Sequence, residues 1–158
     1  MYDINVIADY VIINLTQEDE HSLINLKLQK LLYYIQAWHL GIYKSHFFKG
    51  NFQAWAHGPV NIDIYDRFKS SKNLYSFITV RDIIKNDLDI EKDDIAYINW
   101  ILENYAPFSG VELEHMTHNE TPWISARGDT PPLHKCTNVI SDDSMISYYG
   151  ERWKHIDE

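Results

Sequence analysis

The residues best suited to chemistry in this sequence are its eight histidines. His115 and His118 stand three positions apart in a stretch that we predict to be helical, so their side chains share one helix face. The surrounding residues do not match the His-Glu-x-x-His pattern of zinc proteases, in which the two histidines stand four apart around the glutamate. No third ligand follows at a diagnostic spacing, and the sequence therefore predicts no metal site.

Nucleophilic catalysis has equally little support. The chain has a single cysteine, Cys136, which excludes an intramolecular disulfide and a zinc site built mainly on thiolates. A lone cysteine is most simply a small buried apolar residue, and a Cys–His nucleophilic pair is the alternative. The sequence also lacks a glycine-rich phosphate loop, a Gly-x-Ser-x-Gly motif and a paired-carboxylate motif. We therefore expect no catalytic residue and no cofactor.

The composition is that of an ordinary globular domain. The chain has 158 residues, of which 45% are hydrophobic and 23% charged, so it is not of the disordered class. This length corresponds to one domain with a substantial core, and we expect a single domain over residues 1–158. No apolar run approaches the ~20 residues of a membrane helix, and the N-terminus lacks a signal pattern. We expect a cytoplasmic protein without membrane contact.

Charge is distributed unevenly along the chain. The formal net charge is −9, yet residues 22–81 carry eight bases against two acids. Because nucleic-acid binding relies on Lys and Arg releasing counterions from phosphate, an acidic chain is not expected to bind nucleic acid directly. The bases of the middle segment are most simply solvated helix positions. A basic face that docks an acidic partner is the alternative.

The hydrophobic periodicity predicts a mainly α-helical fold of the α+β type. We expect about six helices wrapped around a central helix over residues 25–42, and a small β-hairpin near residues 46–57. The central helix carries one apolar stripe, formed by Leu28, Leu31, Leu32, Ile35, Trp38 and Ile42. Such a stripe at helical spacing is normally buried.

Residues that favour helix N-termini precede the predicted helices. They are Asp3, Asn25, Asp94, Ser109, Thr121 and Ser141. Ser109 and Glu112 have the spacing of a capping box, which predicts a short helix from Gly110 to about His118. Gly58-Pro59 is predicted to end the preceding strand, with Pro59 in the first turn of a helix over residues 59–69.

Three stretches of the sequence together resemble one family. The first runs from Lys27 to Tyr34 and continues as Gln36-Ala37-Trp38-His39-Leu40. The second is Phe52-Gln53-Ala54-Trp55, followed by Gly58-Pro59-Val60 and Tyr65. The third consists of Ser109-Gly110, Leu113, Thr117-His118 and Pro122-Trp123. Their order and spacing are similar to the Panacea domain, the SocA-like antitoxin family of toxin–antitoxin systems, common on phages and prophages.

The resemblance implies an antitoxin without enzymatic activity. Such a protein neutralises a cognate toxin, encoded next to it, by direct protein–protein binding. An alternative known in the family is a proteolytic adaptor, which delivers the toxin to an AAA+ protease. A more distant alternative, based on the histidines, is a metal- or His-dependent hydrolase. The implied partners are a protein toxin and, for an adaptor, the protease.

The same motifs give two sets of candidate residues. Partner contact is expected at Lys27, Gln29, Lys30, Tyr33, Trp55, His57, His118 and Trp123. Structural roles are expected for Gly58, Pro59, Val60, Thr117 and Pro122. The first four contact candidates are predicted on a polar, solvent-facing flank of the central helix, where packing would not explain the motif.

Two further surfaces are candidates for binding. An alternative interpretation places three histidines, His39, His57 and His118, in one polar pocket beside Trp55 and Trp123, suited to a small molecule or a peptide end. The acidic segments 18–20 and 87–94 are predicted to cover a basic substrate-binding face of a toxin, as an electrostatic mimic.

Overall fold

The computed structural model describes residues 1–156. Its elements are α1 (Ile4–Thr16), α2 (Asn25–Tyr43), β1 (Gln53–Trp55), β2 (Gly58–Val60), α3 (Ile62–Phe68), α4 (Lys92–Tyr105), α5 (Gly110–His118), α6 (Thr121–Arg127) and α7 (Asp142–Ile156). The two strands form a small antiparallel sheet. The predicted mainly helical fold class is thereby confirmed. None of the described helices combines the length and apolarity needed to cross a bilayer.

Helix α2 is the centre of the structure. The stripe from Leu28 to Trp38 is buried, as predicted, but so are most residues on the flanks of the stripe. Helices α1, α4, α5 and α7 and strand β2 all pack against it. A helix enclosed by its neighbours buries polar as well as apolar side chains. In α2 the buried polar residues are Gln29, Lys30 and Gln36.

The crossing of α2 and α7 depends on two glycines. A Cβ atom added to Gly41 would lie 2.7 Å from the backbone nitrogen of Gly150 and 2.7 Å from the carbonyl carbon of Tyr149. The two helix backbones therefore touch at this point, and both glycines are buried. Tyr149 then packs its ring against Tyr33 and Trp38 of α2.

The hairpin lies later in the chain than predicted. In the observed register Trp55 pairs with Gly58 and Ala54 with Pro59. The expectation that Gly58-Pro59 ends the strand and opens a helix is therefore wrong. Gly58 has φ +101°, which a glycine adopts easily after a two-residue turn, and Pro59 stands where the strand needs no N–H donor.

Helix α3 consequently starts at Ile62. Its N-cap is Asn61, whose side chain accepts the Ile64 N–H at 3.1 Å.

Several predicted helix starts are confirmed. Asp3 caps α1 by accepting the Asn5 N–H at 2.8 Å. Ser109 and Glu112 form the expected reciprocal capping box, and α5 spans Gly110–His118 as predicted. Ser141 accepts the Ser144 N–H in the first turn of α7.

Three other caps are misplaced. Asn25 and Thr121 lie inside the first turn of their helices, after Ile24 and Glu120 at the N-cap positions. Asp94 does not cap α4, which begins at Lys92; its carboxylate accepts the Tyr2 hydroxyl instead. None of these three helices has a side-chain hydrogen bond from its N-cap residue.

We predict that Gly41→Ala destabilises the protein. In a free helix the added methyl group would stabilise by about 1 kcal/mol, but here it meets backbone atoms that cannot rotate away. The clash should dominate and lower the free energy of unfolding by about 2 kcal/mol or more. Urea unfolding measures the change. Ser147→Ala, at an exposed position of α7, is the control and should change stability by about 0.5 kcal/mol or less. An unchanged Gly41→Ala protein would contradict the backbone contact.

Candidate functional site

Polar side chains of α2 hold the hairpin in place. Lys30 Nζ donates to the Pro59 carbonyl at 3.1 Å. The Gln29 amide makes two bonds to Asn61: Nε2 donates to its carbonyl at 3.1 Å, and Oε1 accepts its N–H at 2.9 Å. Buried backbone groups require such partners. The outer edge of β2 is therefore occupied by side chains of α2.

The predicted solvent-facing flank of α2 does not exist. Gln29, Lys30 and Tyr33 expose only 4%, 0% and 1% of their surface, so the expectation that they face solvent is wrong. Gln29 and Lys30 bind the hairpin backbone, and Tyr33 packs in the aromatic core against Phe52. Lys27 is partly exposed, and its Nζ donates to the Ala106 carbonyl at 2.7 Å. The neighbouring elements enclose both flanks of α2, which helical periodicity does not reveal.

A small charged cluster lies beneath the hairpin turn. His57 Nδ1 is 3.0 Å from Glu114 Oε1. Burial lowers the pKa of Lys30 to about 7, and the negative charge of Glu114 opposes this shift. Burial also lowers the pKa of His118, again against the attraction of Glu114. Burial thus disfavours the charged form of Lys30, which brings its pKa unusually low for a lysine.

The turn fits tightly over this cluster. A Cβ atom on Gly58 would lie 2.5 Å from Lys30 Cε and 3.0 Å from Thr117 Oγ1. The Thr117 hydroxyl is itself engaged, because it donates to the Glu114 carbonyl at 2.7 Å. Position 58 therefore requires glycine for two reasons. Its φ is positive, and the Lys30 side chain lies too close to leave room for a Cβ atom.

Two tryptophans connect the hairpin to α6. The His118 ring stacks on the Trp123 ring at 4.0 Å between centroids. Trp123 Nε1 donates to the Trp55 carbonyl at 2.9 Å. His118 Nε2 is buried and has no hydrogen-bond partner among the described residues.

The expected pocket of three histidines is incorrect for His39. Its ring lies among Tyr43, Phe47 and Tyr97, and its Nδ1 is 2.6 Å from the Ser45 carbonyl. This places it in a cluster separate from the residues around Glu114. The three histidines thus have different neighbours: His39 packs among aromatic rings, His57 contacts Glu114, and His118 stacks on Trp123.

A groove with a volume of ≈ 660 Å³ lies beside the hairpin. Of the residues expected to contact a partner, Gln29, Trp55 and His57 line this groove. Lys30 and Trp123 do not line it. Gln29 both binds the hairpin backbone and lines the groove, whereas Lys30 supports the hairpin without reaching the groove.

The arrangement offers binding surfaces more readily than catalytic groups. Within residues 1–156, no group of three or more His, Cys, Asp or Glu side chains could hold a metal ion. Cys136 is buried in the wall of the groove. The Thr117 hydroxyl is bound to a carbonyl, and a hydroxyl without an adjacent base is not an activated nucleophile.

Arg127 is an organising residue that sequence reasoning missed. Its guanidinium is buried and donates to the Ala54 carbonyl at 2.9 Å, and to those of Pro131 and His134 at 2.6 and 2.7 Å. It also lies over the Trp123 ring at 5.0 Å. In the sequence, Arg127 resembles an ordinary basic residue in the last turn of a helix, so no local signal distinguishes it.

Glu120 was missed for the same reason. Its carboxylate accepts the hydroxyls of Tyr34 and Tyr149 at 2.8 and 3.0 Å, which connects α2 and α7 to the start of α6. Burial raises the pKa of Glu120 above its usual value, and the tyrosine hydrogen bonds oppose the shift. Only the high aromatic content of the chain hinted at such a network.

The comparisons with known proteins bear on this arrangement directly. Residues 28–124 match the family described as antitoxin SocA-like, Panacea domain. The matched region runs from α2 to α6 and contains the hairpin, the charged cluster and the Trp55–Trp123 contact. The resemblance seen in the sequence is thereby confirmed. No curated protein and no solved structure matches the chain.

The burial of Lys30 makes stability depend on pH. The folded pKa is about 7 against 10.5 for a free lysine, so between these values the unfolded chain binds more protons than the native protein. The free energy of unfolding should therefore rise with pH in this window, by at most about 1.4 kcal/mol per pH unit, and should be insensitive to this group at lower pH.

Urea unfolding of the parent and of Lys30→Met across this pH window isolates the contribution. The difference in unfolding free energy between the two should change with pH, because the variant lacks the titrating group. Lys30→Gln, which keeps a donor for Pro59, provides a second comparison. The surface variant Lys49→Met is the control and should track the parent. A difference that stays constant would show that Lys30 keeps an ordinary pKa.

Proposed function

Because the chain belongs to the SocA-like Panacea family of antitoxins, we propose that it neutralises a protein toxin by binding it directly. The family suggests an antitoxin role, implies a toxin as partner and suggests a non-enzymatic role. The observation that carries the proposal is the family match over residues 28–124, which covers the central helix and the hairpin it supports.

The geometry of the motif residues supports a binding module. Gln29 and Lys30 use their polar groups on the backbone of the hairpin, so the motif builds a rigid platform. That platform presents Trp55 and His57 at the groove. Tryptophan on a rigid support is typical of the residues that dominate protein–protein binding energy.

We propose that the whole chain acts as one domain in this role. Residues of α1 and of α7, such as Ile7 and Tyr149, belong to the same hydrophobic cluster as α2. A shared core over most of the chain means that the platform and the surrounding surfaces form one unit.

The acidic segment around the start of α4 supports a further contact. Asp89, Glu91 and Asp93 are exposed, whereas Asp94 is engaged by the Tyr2 hydroxyl. Three exposed carboxylates near one another suit a basic face on the toxin, such as one that binds tRNA or nucleotides. The proposal of electrostatic mimicry therefore rests on these residues, together with the exposed Asp87, and not on Asp94.

The test uses the reading frame beside the gene for this chain. Its product is expressed alone and together with this protein, and the two purified chains are then mixed and assayed. Direct neutralisation predicts that growth arrest is relieved in cells and that the purified pair forms an inactive complex.

Two other results would contradict direct neutralisation. Relief in cells combined with a fully active purified mixture, and with falling toxin levels, would indicate a proteolytic adaptor. A harmless neighbouring product would remove the support for an antitoxin role.

We predict that the triple change of Asp89, Glu91 and Asp93 to Lys weakens toxin binding. The loss should be largest at low salt and shrink as salt screens the charges. Titration calorimetry at two salt concentrations measures it.

The matched control makes the same change of charge elsewhere. Glu103, Asp129 and Asp143 are also exposed, and their replacement by Lys should alter binding much less. Equal losses in the two triple variants would attribute the effect to net charge alone and eliminate the mimicry.

A further inference from the structure

The groove beside the hairpin has an apolar wall built by distant parts of the chain. Trp55 and Val60 come from the hairpin, Tyr65 from α3, Leu74 from the loop after α3, and Leu133 from the loop after α6. The Trp55 and Tyr65 rings meet edge to face at 4.8 Å between centroids. A volume of ≈ 660 Å³ accommodates a few side chains of a partner.

Leu133 adds an exposed apolar side chain to the edge of the groove. This leucine exposes 88% of its surface, yet the loop that carries it is held firmly. The buried Arg127 guanidinium binds the carbonyls of Pro131, Pro132 and His134, on both sides of the leucine. Because this loop is already ordered, covering Leu133 together with the adjoining apolar wall would cost a partner little conformational entropy.

The rim of the groove is basic on a chain whose net charge is −9. Lys69, Lys72 and Lys135 all line it. Lys69 makes an exposed ion pair with Asp66 at 3.0 Å, and exposed pairs of this kind are weak. Lys72 forms a partly buried pair with Asp82 at 3.4 Å. Lys135 has no ion pair among residues 1–156. The rim of the groove therefore offers positive charge to an acidic partner, chiefly from Lys69 and Lys135.

One polar group in the groove lacks a partner. Asn25 lines the groove, and its Oδ1 atom is buried without a hydrogen-bond partner among the described residues. A buried acceptor of this kind costs free energy until a donor reaches it.

The hairpin itself offers no edge for strand addition. The carbonyl of Pro59 and both backbone groups of Asn61 are bound by α2. On the other side, Ala54 N–H donates to the Asn138 carbonyl, and Ile140 N–H donates to the Phe52 carbonyl. Recognition in the groove must therefore come from side chains.

We infer that the groove binds a short acidic segment of the toxin, with one apolar side chain inserted between the Trp55–Tyr65 pair and Leu133 and with carboxylates on the lysine rim. This inference rests on the proposed function and gives it a contact surface. The mainly apolar lining and the exposed leucine favour a protein segment over a nucleotide, whose sugar and phosphates need a more polar site.

The experiment uses the purified toxin, taken as the product of the neighbouring reading frame, and overlapping synthetic peptides that cover its sequence. Binding to this protein is measured by titration calorimetry. We expect an acidic peptide with an apolar residue to bind. Leu133→Ala and the double variant Lys69→Glu/Lys135→Glu should each weaken binding of that peptide and of the whole toxin by about tenfold or more.

A compensating exchange sharpens the test. Replacing the acids of the bound peptide by Lys should abolish binding to the parent and restore it to Lys69→Glu/Lys135→Glu. The control is Lys49→Glu/Lys154→Glu, which changes net charge equally outside the groove and should bind like the parent. All the substituted residues are exposed, so urea unfolding should show unchanged stability.

The possible failures are distinguishable. If the parent binds the toxin and the groove variants bind it equally well, the groove is not the contact surface, while direct neutralisation stands. A second failure is that ATP or GTP binds the parent but not Lys69→Glu/Lys135→Glu, while both proteins bind the toxin equally. The groove would then be a nucleotide site, and the inference would be overturned. If the parent does not bind the toxin at all, the proposed function fails and the inference fails with it.

Discussion

Hydrogen bonds from buried amide side chains of α2 to loop backbone determine how the rest of the chain is arranged. Gln29 pairs with both backbone groups of Asn61. Two helical turns later, Gln36 accepts the Phe47 N–H at 2.7 Å and donates to the Phe48 carbonyl at 2.8 Å. Loss of either amide would leave two buried backbone groups unpaired, at about 1–3 kcal/mol each. The central helix thus fixes both the hairpin and the segment before it.

The proposed contact surface lies mostly outside the polar part of the first motif. Lys30 and Gln29 act inward, so the surface that remains for contact is made by side chains which the hairpin and the loop after α6 display. Arg127 holds that loop in the same way as α2 holds the hairpin, because its guanidinium binds several backbone carbonyls of the loop. In both places buried side chains satisfy backbone groups that have no partner within a helix or sheet.

Local signals in the sequence identified much of the fold. The stripe of α2 and the Ser109–Glu112 capping box depend on residues within a few positions of one another, and both are confirmed. The burial of Lys30 depends on how many elements surround α2, and the hydrophobic periodicity of the helix does not contain that information. Pro59 was assigned to a helix because proline at a helix start is common, whereas its strand position depends on a glycine turn. The groove joins Tyr65 to Leu133, residues too far apart in the chain for local patterns to connect.

The backbone contact between Gly41 and Gly150 determines when the core can be completed during translation. Helix α7 is translated after every other described element, and the family match ends before it, at residue 124. Yet Tyr149 fills the space between Tyr33, Tyr34 and Trp38. A nascent chain that has already emerged through α6 still lacks this wall of its core. The core reaches its final packing only after α7 leaves the ribosome, so the mature fold lags behind translation of the region that defines the family.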